Sequence, residues 1–191
     1  EVWRIPISDV IDAGAGKDGI PTLTYPSFVQ AYQASYLDAE DLVIGVISNG
    51  VARAYPHKIL DHHEIINDTL NGAPVAITYC PLTGTSMIWN RVVNGDTLAF
   101  GVSGLIYNSN LIPYDRQTDS HWSQILREGV NGVYTGKKIK LLPFIETSWE
   151  KWQAYHPETL VMSSSTGFDR GYTAFPYLDY RSNHDFFLFP V

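Results

Sequence analysis

Most apolar residues of the chain fall in short runs bounded by turn residues, and few recur at helical spacing. In "DLVIGVISNGVARAYP" (41–56) two apolar runs flank Asn49-Gly50, a dipeptide that favours a two-residue hairpin turn. "APVAITYC" (73–80) and "SMIWNRVVNGDTLAFGVSG" (86–104) repeat the pattern, the second around Asn94-Gly95-Asp96. Further strands are expected over "LIPYD" (111–115) and "GVYTGKKIKLLP" (132–143). Helical spacing is confined to "PSFVQAYQASYL" (26–37), "ETSWEKWQAYH" (146–156), and one or two turns within "PHKILDHHEIIND" (56–68). The aromatic C-terminal stretch from Phe168 onward has no clear period. These patterns predict a mainly β chain of the α+β class. Its antiparallel sheet is expected to be partly closed or a barrel, with a few short helices outside and an irregular aromatic tail. One domain over 1–191 is expected: an N-terminal loop and helix (1–40), a β core (41–143), then a helix and wrapping tail (144–191).

Composition narrows the class. With 45% hydrophobic and 13% aromatic residues in 191, the chain is able to bury a proper core, so disorder is excluded. No apolar run approaches the roughly 18 residues of a membrane span, and "EVWRIPISDV" lacks the basic-then-apolar order of a signal peptide. A soluble chain is expected. The formal charge of −7, with only 13 scattered Lys and Arg, argues against nucleic acid or an anionic membrane as partner. The single cysteine excludes an internal disulfide, a CxxC pair and a multi-cysteine zinc site. "DAGAGKDGIPTL" (12–23) lacks the spacing of a phosphate-cradling loop, so it reads as a long surface loop.

Three clusters carry candidate chemistry. The first is "HHEIIND" (62–68). If residues 58–67 are helical, Ile59, His63 and Ile66 or Asn67 share a face, which makes His63 a buried histidine, serving either as a hydrogen-bonded core residue or as a ligand. Asn67 stands where H-E-x-x-H needs its second histidine, so a zincin protease is ruled out as the default. His62 points about 100° away around such a helix. His57 reaches the same ion only if the helix begins after it. Asn67-Asp68-Thr69 also matches a glycosylation sequon, a pattern common by chance.

The second cluster centres on Cys80, at the end of a strong β run and before Pro81, where the chain turns into "PLTGT". A thiolate beside imidazole suits soft or borderline metals and also suits a cysteine nucleophile; the bland alternative is a small buried hydrophobe. No histidine lies between Cys80 and Met87, so the Cys–His–Met loop of blue-copper sites is absent. The third cluster is "YDRQTDSHWSQ" (114–124), in which Asp115-Arg116 reads either as a salt bridge holding a turn or as an anion clamp at a site mouth. "GVSGL" (101–105) fails the G-x-S-x-G elbow at Leu105, so Ser103 is a weak serine nucleophile.

The ordered series "GVARAYPHKILDHHEIINDTLNGAPVAITYCPLTGTSMIW", "FGVSGLIYNSNLIPYDRQTDSHWSQ", "TGKKI" and "TSWEKWQAYHPET" resembles the bacterial and archaeal family of domain of unknown function 3179, from near residue 19 to near 156 and into the tail. The positions matching its motif are Pro56, His63, Glu64, Asn67, Asp68, Cys80, Gly84, Ser103, Tyr114, Asp115 and Trp122. The resemblance implies export, often as a lipoprotein, and hence a cell-envelope location, periplasmic or extracellular. It brings no established activity. Many members carry a second cysteine in a CPLC-type stretch where this chain has Thr83, which weakens any dithiol mechanism.

Three readings follow. One is an extracytoplasmic metal-binding protein in which Cys80 and His63 are ligands and His57 or His62 is the third, with copper preferred over zinc because one thiolate with imidazoles suits it. Another is an enzyme with Cys80 as nucleophile, His63 as its base beside Glu64, and Asp115 and Arg116 as a substrate clamp. The last is a non-catalytic binding module. A metal ion or small molecule is the expected partner. His63 and Cys80 are expected to meet, in contact or through one ion, because "NDTLNGAP" (67–74) turns the chain back. His184, in the tail, is expected at the surface and outside the site.

Overall fold

The computed structural model describes residues 2–183, and His184 lies outside the described residues. Among them the strands form three five-stranded sheets and one two-stranded ribbon. No sheet closes into a barrel, so the expected partly closed sheet is replaced by open sheets stacked face to face. Pairing is mostly antiparallel, with two parallel exceptions at short strands.

The Asn-containing turns act as expected. Asn49-Gly50, Asn71-Gly72 and Asn94-Gly95 all hold positive φ at both positions, the geometry that joins antiparallel strands through two residues. The first joins Leu42–Ser48 to Val51–Pro56, and the second joins Ile65–Leu70 to Ala73–Cys80. The third makes the small ribbon of Val92–Val93 and Asp96–Thr97. Asn108-Ser109 does the same between Phe100–Tyr107 and Asn110–Asp115.

The first sheet has the order Leu141–Leu142, Thr85–Asn90, Ala73–Cys80, Ile65–Leu70, Leu23–Thr24, and it is the middle layer. One of its faces meets the second sheet, built on Leu42–Ser48 and Val51–Pro56, through Ile44, Tyr55, Ile66, Val75 and Ile77. The opposite face meets the third sheet, built on Phe100–Tyr107 and Asn110–Asp115, through Ile65, Ala76, Cys80, Trp89 and Phe100. Alternate residues of one strand thus enter different cores, which explains the nearly unbroken apolar run of "APVAITYC".

Ile65 and Ile66 explain why the expected helix over 58–67 fails. These neighbours are fully buried on opposite faces, a geometry that only an extended chain supplies. The helix, α1, therefore spans only His57–His63. The second helix, α2, spans Trp149–Tyr155, inside the expected 146–156. The helix expected over 26–37 is instead a strand, Phe28–Gln30, and a 3-10 turn, Ala31–Gln33. Phe28 joins the edge beside Leu160–Met162 and stands edge-on to Tyr55, so tertiary pairing overrides the local period. The strand expected over 132–143 shrinks to Leu141–Leu142, because the glycines at 132 and 136 take left-handed turns.

Gly104 shapes the site from the third sheet. It sits at φ 83° in a bulge between Val102 and Leu105, and a β-carbon there would lie 2.8 Å from the Gly16 backbone. Only glycine lets the loop 13–18 lie across the strand, where Ala13 N–H donates to Gly104 O and Asp18 N–H to Val102 O. After Leu160–Met162 no helix or strand occurs among the described residues, and the tail crosses α1. No described helix is long and apolar enough to cross a membrane.

Candidate functional site

The three histidines of α1 point in three directions, as residues on a short helix must. His57 stacks on Tyr79 with ring centroids 4.4 Å apart, and its Nε2 lies 3.4 Å from Glu146 Oε2 without making a hydrogen bond. His62 Nε2 is 2.9 Å from the Ala174 carbonyl. His63 is fully buried, with Nδ1 2.7 Å from the Pro21 carbonyl and Nε2 2.7 Å from the Tyr172 hydroxyl. The carbonyl accepts only, so Nδ1 carries the proton and Nε2 accepts from Tyr172. Burial holds the His63 pKa below its ordinary value, which favours this neutral form.

The expected metal centre is thereby overturned. Among the described residues no group of three or more His, Cys, Asp or Glu is placed to hold an ion. Cys80, His63, His57 and His62 do not converge, because each imidazole is engaged in its own direction and the Cys80 thiol reaches the Ser109 carbonyl at 3.5 Å. Copper, the zinc alternative and a metal ion as partner fall with that site. No hydrogen bond joins His63 to Cys80 either; the acid nearest to influencing the thiol is Glu64.

What the fold does bring together is Glu64, Cys80 and Tyr177. These three line a cavity of about 100 Å³ whose other walls include Ala13, Ile20, Leu82, Val102 and Leu111. A space of that size holds a few waters or a molecule of a few heavy atoms, at roughly 30 Å³ per water. Cys80 enters it because even-numbered residues of Ala73–Cys80 face the third sheet. Glu64 enters it because the chain reverses there: the residue ends α1 at φ 57°, ψ −36°. Its N–H donates to Leu60 O at 2.7 Å, and its own carbonyl accepts from Tyr79 N–H at 2.8 Å. A non-glycine residue at this φ is unusual, and these two bonds fix it.

The Glu64 carboxyl is buried, and among the described residues no cation pairs with it. It accepts one hydrogen bond, from the Tyr177 hydroxyl at 2.9 Å. Burial pushes its pKa up to about 7, against the lowering effect of the Tyr177 bond. Burial likewise pushes the Cys80 thiol up; hydrogen bonding from Thr83 opposes this and the Glu64 charge adds to it. Cys80 is therefore a neutral thiol at pH 7. Tyr177 is raised by burial and by Glu64, so it stays a donor.

The remaining candidates serve the frame. Asp115 is fully buried and accepts from Thr118 N–H at 2.7 Å, the Thr118 hydroxyl at 2.9 Å and Trp122 Nε1–H at 3.0 Å, which fixes the 115–120 turn. Arg116 pairs with Asp18 at 2.7 Å and donates to Thr22, so it ties the N-terminal loop down and does not line the cavity. Ser103 accepts from Leu105 N–H within its bulge and donates to Ile112 O. The Asn67 side chain of the sequon is fully buried and bonds Phe100 at both its N–H and its C=O, which leaves no room for a glycan.

Sequence reasoning missed Tyr177. It lies 113 residues from Glu64, in a stretch without periodicity, and carries no local signal. Glu64 had one: a single acid between a histidine-ended turn and two isoleucines that must face opposite ways. No curated protein and no solved structure matched the chain. The model of the DUF3179 family, proteins of unknown function, matches residues 17–191, and by it the chain belongs to that family.

Proposed function

We propose that the protein takes a small, mostly apolar neutral molecule into the Glu64 cavity and that Glu64 exchanges a proton or a hydrogen bond with the one polar group of that molecule. The observation that supports this reading is the buried Glu64 carboxyl, with a pKa of about 7, at the wall of an otherwise apolar cavity. A carboxyl near half-ionisation at neutral pH is suited to both donating and accepting, which is the property general acid–base groups need. The apolar walls disfavour an anionic ligand, whose desolvation nothing in the lining offsets. An envelope location is proposed together with this activity, tested by fractionating native cells.

The test is a thermal-shift and NMR titration with small carbonyl compounds, alcohols and amides of about four to seven heavy atoms, a size set by the cavity. Binding is expected for at least one class, with an affinity that changes through pH 7 in the wild type and loses that dependence in Glu64→Gln. If no such molecule binds, or if the substitution leaves the pH dependence intact, the reading is wrong.

A further inference from the structure

We propose that the tail segment 166–181 is a gate over the Glu64 cavity, with Tyr177 the residue that shuts it and positions the Glu64 carboxyl. The proposal rests on the cavity being a small-molecule site. Four consecutive residues at the end of α1 each hold one point of the tail. Asp61 accepts from Arg181, which also donates to the Tyr79 hydroxyl at 2.7 Å. His62 meets the Ala174 carbonyl, His63 accepts from Tyr172, and Glu64 accepts from Tyr177.

The two sides of this contact differ in depth. Asp61, His63 and Glu64 are buried, whereas no residue from 163 to 183 is fully buried, and Phe168 and Leu178 stand exposed. A segment with polar anchors and little apolar burial of its own belongs to the low-stability end of a fold, where local opening occurs without global unfolding. Tyr177 itself lines the cavity, so its departure opens a wall and lets water reach Glu64. The ring contact of Arg181 on Phe175, 3.8 Å from charge to centroid, ties the part of the segment on either side of Tyr177 together.

Cys80 lies in the cavity behind this wall and reports the opening. The experiment follows the rate at which a small uncharged thiol reagent labels Cys80 in the full chain, for wild type, Arg181→Ala and Tyr172→Phe. Neither altered residue lines the cavity, and far-UV circular dichroism checks that both variants stay folded. Loss of one anchor is expected to speed labelling by about tenfold, the scale of one hydrogen bond to a charged or buried group. A second readout is the Glu64 carboxyl followed by carbon NMR against pH: Tyr177→Phe keeps the ring in the cavity wall and removes only the hydroxyl whose bond favours the ionised form, so the midpoint is expected to move above about 7. Labelling at the wild-type rate in both anchor variants overturns the gate, and an unmoved midpoint overturns the positioning role of Tyr177. Labelling needs no ligand, so failure of the small-molecule reading and failure of the gate are told apart.

Discussion

Replacing Glu64 with Gln tests the site through stability alone. The glutamine keeps the shape and leaves an oxygen to accept from Tyr177, and it removes only the ionisation. The Glu64 carboxyl goes from an ordinary 4.5 to about 7 in the folded protein. A folded pKa raised in this way gives stability that is whole below the unfolded value and lost as pH rises through the folded one. Across that interval the unfolded chain releases its proton first, and ionisation pulls toward unfolding. At 1.36 kcal/mol per unit the full effect is about 3 kcal/mol, of which roughly 2.5 kcal/mol falls between pH 5 and pH 8. Urea unfolding of both proteins at a series of pH values measures it. Asp61, also raised by burial, and every other titrating group cancel in the difference between wild type and variant. The wild type should lose stability relative to Glu64→Gln as pH rises from 5 to 8, with no further change above. Parallel curves across that range would falsify the placement of Glu64 as a buried, unpaired acid.

Two substitutions test the frame that holds the site. Asn67→Leu strands the N–H and C=O of Phe100 in the core between the first and third sheets. At about 1–3 kcal/mol for each buried group left without a partner, a loss of about 2–6 kcal/mol is expected in urea unfolding, and a loss below about 0.5 kcal/mol contradicts the bridge. Gly45→Ala places a methyl group inside the Trp152 indole of α2, and overpacking of that kind costs about 1–3 kcal/mol. The control, Gly171→Ala, meets nothing within 4 Å and should leave the melting temperature unchanged; equal melting temperatures for the two variants refute the contact.

The sequence was readable wherever a local device dictated the backbone. Asn49-Gly50 and Asn94-Gly95 announce their turns because asparagine and glycine tolerate positive φ, and the strands on either side follow. It was misread where tertiary packing decides. Phe28 has a helical neighbourhood yet pairs at a sheet edge, and Ile66 continues a helical pattern yet turns to a different core from Ile65. The unbroken apolar run of "APVAITYC" marks a strand buried on both faces, but nothing local says that separate open sheets cover those faces, and the expected partly closed sheet is replaced by them. In the site, Cys80 was legible as a strand-end residue, whereas its partner in the cavity was not His63 but the next residue, because one left-handed backbone step at Glu64 redirects the chain.

The direction of the three shifts explains why a thiol, an imidazole and an acid so near one another do not make a metal centre. A metal ligand set needs its thiol deprotonated, and a cation nearby to favour that state. Burial here pushes Cys80 and Glu64 up and His63 down, so each of the three is driven toward its uncharged form. The hydrogen bonds oppose burial without reversing it: the Pro21 carbonyl favours a charged His63, Thr83 a charged Cys80 and Tyr177 a charged Glu64, the last as a single neutral donor where an ion pair would have held the acid charged. Arg181, whose charge acts on Tyr79, is paired with the buried Asp61 of α1 and not with Glu64. The chain has thus built an environment that resists fixed charge. Of these three groups the one carried to about pH 7 is Glu64, and a site of that kind responds to protons and neutral molecules before it responds to ions.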